Sequence, residues 1–299
     1  MLQFCLSTEM QEYENVLYII GNGFDLAHGM KTSYEDFHQW MLNNGDFSAV
    51  NRLESLYPNI INNEGRWCDV ESALGSISLQ DAINYDRNFQ ECPDEINEEN
   101  SSHDAYICGE NLKNAVDILP GLLRDWVASI STKDLCPRFR INKGAKFLSF
   151  NYTRTLENVY QIKTDSILHI HETIVGNRPL VVGYGEGRFE GDEYVPDDEM
   201  IDVSLIKNIL SHCRKPVDAI LKEPIPKTWF ESLSKISFVI VYGHSCSKVD
   251  KPYFETVADK IQASARWTFF VHNKNENKYI EKFAKTILKD KMSYIIINQ

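Results

Sequence analysis

The sequence predicts an α/β fold with a doubly wound, mostly parallel sheet and a large helical insertion after the first strand and helix. Three observations lead to this prediction. An apolar strand runs into a glycine turn over residues 16–23. Helical spacing of apolar residues then dominates residues 33–143. Apolar runs separated by helical segments follow, and this alternation is typical of parallel strands covered on both faces.

The first predicted strand is Val16–Ile20, a continuous apolar run of the kind found in fully buried strands. Gly21 and Gly23 follow it at once. Glycine allows a tight turn in which bare backbone approaches a ligand closely, and such a turn commonly opens a nucleotide-binding α/β unit. The third glycine of the dinucleotide fingerprint is missing, so an ordinary strand-to-helix turn is the alternative interpretation.

The predicted insertion begins at Thr32–Glu35, which has the form of a capping box and predicts a helix start. Helical spacing returns over residues 112–130, where Pro120 predicts a kink or a split. Two acidic stretches, 86–104 and 186–199, are predicted to be solvated loops rather than metal sites, because charge runs of this kind usually face water.

The later part of the chain contains the remaining predicted strands. They lie at residues 145–150, 166–170, 180–183, 236–242, 267–271 and 293–297. Residues 280–287 have the spacing of an amphipathic helix. We therefore predict one domain over 1–299, with an α/β core of 14–32 and 144–299 and a helical insertion over about 33–143.

Composition narrows the functional classes. The net charge of −12 argues against general nucleic-acid binding. Seven cysteines without a C-x-x-C pair indicate free thiols in a reducing cytoplasm rather than a zinc ribbon. The sequence contains no run of eighteen apolar residues, so no membrane span is expected. The first residues also lack the pattern of a signal peptide. We expect a cytoplasmic protein with no resident metal and no membrane association.

Polar and glycine residues follow the predicted strands, and in open α/β sheets ligands bind beyond the carboxyl ends of the strands. These segments would line one crevice, where backbone amides, hydroxyls and ring side chains suit a phosphate or a ribose. The residues expected to contact a nucleotide there are Gly21, Asn22, Gly23, Phe24, Asp25, Tyr152, Gly243, His244 and Ser245. The convergence of several segments is a stronger indication than any single motif.

Asn151 directly follows a predicted strand, and its amide can donate and accept hydrogen bonds at once. That suits the orientation of a ribose hydroxyl or a water molecule. The alternative is an N-cap for a helix that begins near Thr153. Two residues further along are given structural interpretations: Asp250, just before Pro252, as a helix cap, and Cys246 as a poor nucleophile without an identifiable partner.

His169 and His171 alternate along a predicted strand, so they are expected to point to the same face. A mononuclear metal site would need a third ligand. We favour a mixed interpretation, in which His169 is packed and hydrogen-bonded while His171 faces the crevice. His171 is then the candidate general base, because imidazole titrates near neutral pH.

The motifs resemble those of the bacteriophage abortive-infection AbiH family. They occur in the same order at Gly21–Gly29 with Lys31–Tyr34, Trp67–Leu74, Phe147–Thr153, His169–His171 and Tyr242–Ser245. The resemblance implies a bacterial anti-phage defence protein whose action halts or kills the infected cell. Its expected partners are a nucleotide ligand and either a second copy of the chain or another protein of the defence system.

The chain is more distantly similar to sirtuin-like NAD-binding domains, which implies a Rossmann-like (sirtuin-like) sheet and NAD as substrate or ligand. In this resemblance Asn151 and His171 match the catalytic pair of sirtuin-like NAD hydrolases. Gly21, Gly23 and Ser245 match nucleotide-contacting positions. One departure is Glu172, which stands where glycine usually follows the histidine and could crowd the ribose.

The leading hypothesis is therefore a defence effector that hydrolyses NAD at the nicotinamide–ribose bond, with Asn151 and His171 as catalytic residues. The alternative is a non-catalytic nucleotide sensor or partner-binding module on the same fold, which Glu172 favours. A third, weaker hypothesis is a metal-dependent nuclease that uses His169, His171 and nearby acids.

Overall fold

The computed structural model describes most of the chain from Asn15 onward. The described residues are 15–68, 70–78, 81, 82, 85, 101–176, 178–185, 203–289 and 291–298. The acidic stretch 186–199, predicted as a loop, lies outside the described residues. Of the other acidic stretch, 86–104, residues 86–100 also lie outside them, and residues 101–104 are helical rather than a loop. In the part that is described, no helix is long and apolar enough to cross a membrane.

Six strands form one all-parallel sheet, which confirms the predicted α/β class. The strands are β1 Val16–Ile20, β2 Lys146–Ser149, β3 Ile167–His169, β4 Phe238–Tyr242, β5 Arg266–Val271 and β6 Ser293–Asn298. Their order is β3-β2-β1-β4-β5-β6, with Ile20 paired to both Ser149 and Tyr242. This is the doubly wound, Rossmann-like order, in which the chain reverses direction across the sheet between β1 and β4.

The strand predicted at 180–183 is wrong. These residues have strand-like composition, but the chain there pairs outside the sheet through a single bridge between Tyr184 and Arg214. The N–H of Tyr184 donates to the carbonyl of Cys213 at 3.0 Å, and the N–H of Lys215 donates back to Tyr184 at 2.9 Å. The apolar run therefore leads into a bridge with Arg214 rather than into the sheet, and its composition alone does not distinguish these two outcomes.

The described α-helices are α1 Asn22–Ala27, α2 Tyr34–Asn43, α3 Phe47–Leu56, α4 Val70–Leu74, α5 Ser101–Ser129, α6 Thr155–Tyr160, α7 Val203–Ser211, α8 Val217–Lys222, α9 Pro224–Glu231, α10 Lys251–Lys260 and α11 Asn277–Leu288. Two predictions about them need correction. The capping box of α2 consists of Ser33 and Asp36, one residue later than predicted. Helix α5 continues through Pro120 as one element of 29 residues, so of the predicted kink or split the split does not occur.

The described residues divide into two compact units. The sheet unit contains the chain up to Thr32, Val127–Leu180 and the residues from Pro216 onward, and it includes every strand. The second unit contains Ser33–Trp126 and Val181–Lys215. Within the sheet unit, one face of the sheet packs Tyr18 and Phe147 against residues of α1 and α6 in a single apolar core.

The turn after β1 and the turn after β4 are in contact, at the point where the strand order changes direction. The N–H of Gly23, at the start of α1, donates to the carbonyl of Gly243 at 2.8 Å, and the N–H of Gly21 donates to Tyr242 at 3.0 Å. A Cβ on Gly21 would lie 2.5 Å from the Gly243 carbonyl oxygen, and one on Gly243 would lie 2.3 Å from the nitrogen of Phe24. Gly243 also has a φ of +65°, which glycine adopts without strain. The glycines therefore allow the β1 and β4 turns to touch backbone to backbone.

We expect Gly21→Ala to destabilise the protein, because the new methyl group meets rigid backbone. Overpacking of this kind costs about 1–3 kcal/mol, and each kcal/mol lowers Tm by roughly 2–4 °C in a protein of this size. The matched control is Gly121→Ala, which places its methyl group in open space within α5 and should gain about 0.5–1 kcal/mol. Thermal unfolding followed by circular dichroism measures both changes. A Tm for Gly21→Ala equal to that of the parent would contradict the packing described for these turns.

Candidate functional site

Four polar side chains gather at the carboxyl end of the sheet, beside the reversal between β1 and β4. Asn151 follows β2, His171 follows β3, His244 follows β4, and Asp250 immediately precedes α10. Asn151, His171 and Asp250 are only 7%, 3% and 5% exposed. Buried polar groups require partners, so the contacts among these side chains define the site.

A carboxylate lies between two imidazoles at the centre of this group. The Oδ1 atom of Asp250 is 3.5 Å from Nε2 of His171, and its Oδ2 atom is 3.6 Å from Nε2 of His244. The hydroxyl of Ser247 donates to the same Oδ2 atom at 2.9 Å. Asp250 thereby connects the turns that follow β3 and β4. We call Asp250, His171, His244 and Ser247 the imidazole–carboxylate cluster.

Aromatic rings enclose the imidazole–carboxylate cluster. The ring of Phe150 lies edge to face with His171, at 5.2 Å between centroids, and with His244, at 4.3 Å. The rings of Tyr253 and Tyr152 lie 5.9 Å and 6.5 Å from that of His171. Apolar surroundings lower the local dielectric, and interactions between charged and polar groups are stronger there than in water.

The expectation that His169 and His171 share a face is wrong. Strand β3 ends at His169, and the chain turns at once, with the N–H of Glu172 donating to the His169 carbonyl at 3.3 Å. The His169 ring lies 3.3 Å from Oε1 of Glu157 and 3.4 Å from the Asn151 carbonyl, whereas His171 contacts Asp250. The nuclease hypothesis relied on both imidazoles meeting at one metal. Among the described residues, no group of three His, Cys, Asp or Glu side chains could hold a metal ion.

Asn151 belongs to a buried network with the first turn of the fold. Helix α6 begins at Thr155 with Arg154 as its N-cap, so the interpretation of Asn151 as a helix cap is wrong. The hydroxyl of Thr153 donates to Oδ2 of the buried Asp25 at 2.5 Å. Burial raises the pKa of Asp25, while hydrogen bonds from Thr153, Thr155 and Asn151 oppose that rise. The network joins the turn after β1 to the turn after β2.

The residues predicted to contact a nucleotide occupy different environments. Phe24 is buried in the apolar core, where its ring packs on Tyr160 and Tyr242. The N–H groups of Gly21, Gly23 and Phe24 donate to backbone carbonyls. Two of the predicted residues are exposed, Ser245 and Asn22, and the Asn22 amide donates to the Thr32 carbonyl at 2.6 Å.

Glu172 points away from the imidazole–carboxylate cluster. Its carboxylate Oε1 accepts a hydrogen bond from Nη1 of Arg178 at 3.3 Å, and the same nitrogen donates to Glu223 at 2.5 Å. The backbone of Glu172 has a φ of +65°, the left-handed region that favours glycine. The turn after β3 therefore has a glycine-type conformation although the residue is a glutamate. Whether this side chain crowds a ribose stays a prediction; in the observed conformation its carboxylate is engaged by Arg178.

Sequence reasoning missed the role of Asp250 and Ser247. Asp250 is the N-cap residue of α10, as predicted, but its side chain makes no capping hydrogen bond and turns instead to the imidazoles. The spacing of Ser247 and Asp250 was visible in the sequence, but it is equally typical of a helix start. Cys246, between His244 and Ser247, is fully buried, and this burial raises the pKa of its thiol far above its usual range, which is consistent with its interpretation as a poor nucleophile.

Comparison with known families gives one match. The model of a family described as bacteriophage abortive infection AbiH matches residues 17–271, a range that contains all but the first residue of β1, the whole of β2 to β5 and all of the imidazole–carboxylate cluster. No curated protein and no solved structure gives a significant match.

We expect Asp25→Asn to stabilise the protein at neutral pH and to lose that advantage in acid. Because burial raises the pKa of Asp25, the folded protein holds this proton more tightly than the unfolded chain. The stability of the parent therefore falls as pH rises from the unfolded pKa through the folded one, at up to about 1.4 kcal/mol per pH unit, and Asn is exempt from this loss. Thermal unfolding at pH 7.5 and pH 4 measures the difference.

The exposed Asp134→Asn is the control for a general charge effect. It should change Tm little at either pH. If Asp25→Asn lowers Tm more at pH 7.5 than at pH 4, the ionised carboxylate stabilises the folded protein, and the assigned direction of its pKa shift is wrong.

Proposed function

The chain belongs to the AbiH family of bacteriophage abortive-infection proteins, and we propose that it acts in this defence by hydrolysing NAD. Family membership supports the role in phage defence. The reaction proposed for that role is cleavage of the bond between nicotinamide and ribose, which would deplete a cofactor that the phage and its host both need.

The position of the buried His171 beside Asp250 carries this proposal. The pair lies at the carboxyl end of a sheet whose strand order is that of dinucleotide-binding α/β folds, next to the reversal where such folds bind their ligands. An imidazole held by a carboxylate is a common general base, and the amide of Asn151 at the neighbouring strand end can orient a reacting group. The two residues match the catalytic pair of sirtuin-like NAD hydrolases.

The proposed reaction needs one water molecule. Its oxygen attacks C1′ of the nicotinamide ribose, the C1′–N bond breaks, and neutral nicotinamide leaves with the bonding electron pair. His171 takes the proton released by the water, and ADP-ribose is the other product. The transition state resembles the oxocarbenium ion of glycoside hydrolysis. Asn151 would orient the water or a ribose hydroxyl, and the aromatic rings around His171 would exclude bulk solvent.

We expect Asn151→Ala and His171→Ala each to lower NAD turnover by about 10²–10⁴-fold, the usual contribution of a general base or a positioning group. Release of nicotinamide from NAD by the protein isolated from phage-infected cells measures the rate, and phage plating measures defence. The controls are the exposed residues Asn158→Ala and His272→Ala, which should behave as the parent. Parent protein that protects cells yet releases no nicotinamide would contradict the proposed reaction.

The Glu172→Gly variant tests whether the Glu172 side chain crowds the ribose or takes part in the reaction. Because the carboxylate faces Arg178 and the backbone is already left-handed, glycine fits the turn and should leave NAD turnover near the parent rate. Removal of left-handed strain, about 1–2 kcal/mol, should offset the loss of the exposed ion pair and the greater flexibility of glycine. A loss of turnover as large as that of His171→Ala would mean that Glu172 takes part in the reaction.

A nucleotide sensor on the same fold is the second candidate. The observation that favours it is the small exposure of Asn151 and His171, together with the internal hydrogen bonds of the glycine turn. Calorimetry with NAD distinguishes the two functions. Binding of NAD that is recovered intact from the protein of infected cells supports the sensor, whereas recovery of nicotinamide and ADP-ribose supports the hydrolase.

A further inference from the structure

We propose that Asp250 is the positioning residue that sets the tautomer of His171 and leaves Nδ1 of His171 as the proton-accepting atom. The role of His171 Nδ1 as the atom that accepts a proton rests on the proposed NAD hydrolysis. The tautomer itself follows from the geometry of the imidazole–carboxylate cluster and can be measured without a substrate.

The hydrogen bonds of His244 define its tautomer and show which groups face Oδ2 of Asp250. The N–H of Cys246 donates to Nδ1 of His244 at 2.8 Å, so this nitrogen carries a lone pair. The neutral His244 ring therefore has its proton on Nε2, which faces Oδ2 of Asp250 at 3.6 Å. Because the Ser247 hydroxyl also donates to Oδ2, two donors converge on that oxygen.

The other carboxylate oxygen faces His171. Oδ1 of Asp250 lies 3.5 Å from Nε2 of His171, and a carboxylate oxygen favours the tautomer that presents it with an N–H. The neutral His171 ring then has its proton on Nε2 and a lone pair on Nδ1. The separations of 3.5 and 3.6 Å exceed those of formed hydrogen bonds, as is frequent for catalytic contacts before a substrate binds.

A merely structural role for Asp250 would look different. At the N-cap of α10 its carboxylate would accept a hydrogen bond from the first backbone N–H groups of the helix, and no such bond is formed. Instead, the buried carboxylate is directed toward two imidazoles and one hydroxyl. A carboxylate in this position also stabilises the imidazolium that forms when His171 takes a proton.

The test uses ¹⁵N NMR of histidine-labelled full-length protein at alkaline pH, where the imidazoles are neutral. His171→Gln assigns the His171 signals. We expect the parent to show His171 with a protonated Nε2, and a parent signal from protonated Nδ1 would overturn the proposal. This first measurement needs no variant at Asp250, so it stands even if such variants fail to fold.

Asp250→Asn is the second arm. Asn can donate as well as accept, so we expect the His171 tautomer to shift toward protonated Nδ1 and kcat for NAD to fall by about 10²–10⁴-fold, with KM little changed. The control is Asp259→Asn, an exposed acid on the same helix, which should keep the parent spectrum and rate. An unchanged His171 tautomer in folded Asp250→Asn would overturn the proposal. A shifted tautomer in a protein that does not cleave NAD would support the positioning role and reject only the proposed reaction.

Discussion

The close contact between the β1 and β4 turns is the constraint on which the rest of the site depends. Adjacent parallel strands leave a gap at the point where the chain reverses across the sheet, and most folds of this type place a ligand there. Here Gly23 and Gly243 close part of that gap with a direct backbone hydrogen bond of 2.8 Å. Because no side chain separates the turns, the chain leaving β4 carries His244 and Asp250 toward the ends of β2 and β3.

Among the described residues of the sheet unit, Asp25 and Asp250 are buried carboxylates with opposite surroundings. The Thr153 hydroxyl donates to the carboxylate of Asp25, and burial raises the pKa of that carboxylate. Asp250 faces two imidazoles, which are potential cations. These surroundings suit different roles, because a buried carboxylate bound by a hydroxyl holds backbone turns together, whereas one beside imidazoles can stabilise a proton on its neighbour. Asp25 secures the turns after β1 and β2, while Asp250 connects those after β3 and β4.

The periodicity of apolar residues predicted most of the sheet, because buried parallel strands such as Val16–Ile20 and Phe238–Tyr242 are uniformly apolar. It failed at residues 180–183, where a similar run precedes a single bridge between Tyr184 and Arg214 outside the sheet. Of the site, the sequence indicated Asn151 and His171 because both follow strands directly. The Arg178 side chain that binds Glu172 is also bound by Glu223, a residue distant in the chain, so the orientation of Glu172 was not evident from the sequence. The contact between Asp250 and His171 joins residues far apart in the chain, so local spacing could not predict it.

The strand order also bears on the synthesis of the protein. Strand β1 is the first of the described strands to be made, yet its partners are β2 at Lys146–Ser149 and β4 at Phe238–Tyr242. The centre of the sheet therefore cannot form until the ribosome has passed both. Asp250 is translated later still. A nascent or truncated chain that stops before Asp250 therefore carries Asn151 and His171 without the carboxylate beside them, and the imidazole–carboxylate cluster becomes complete only after the ribosome has passed that residue.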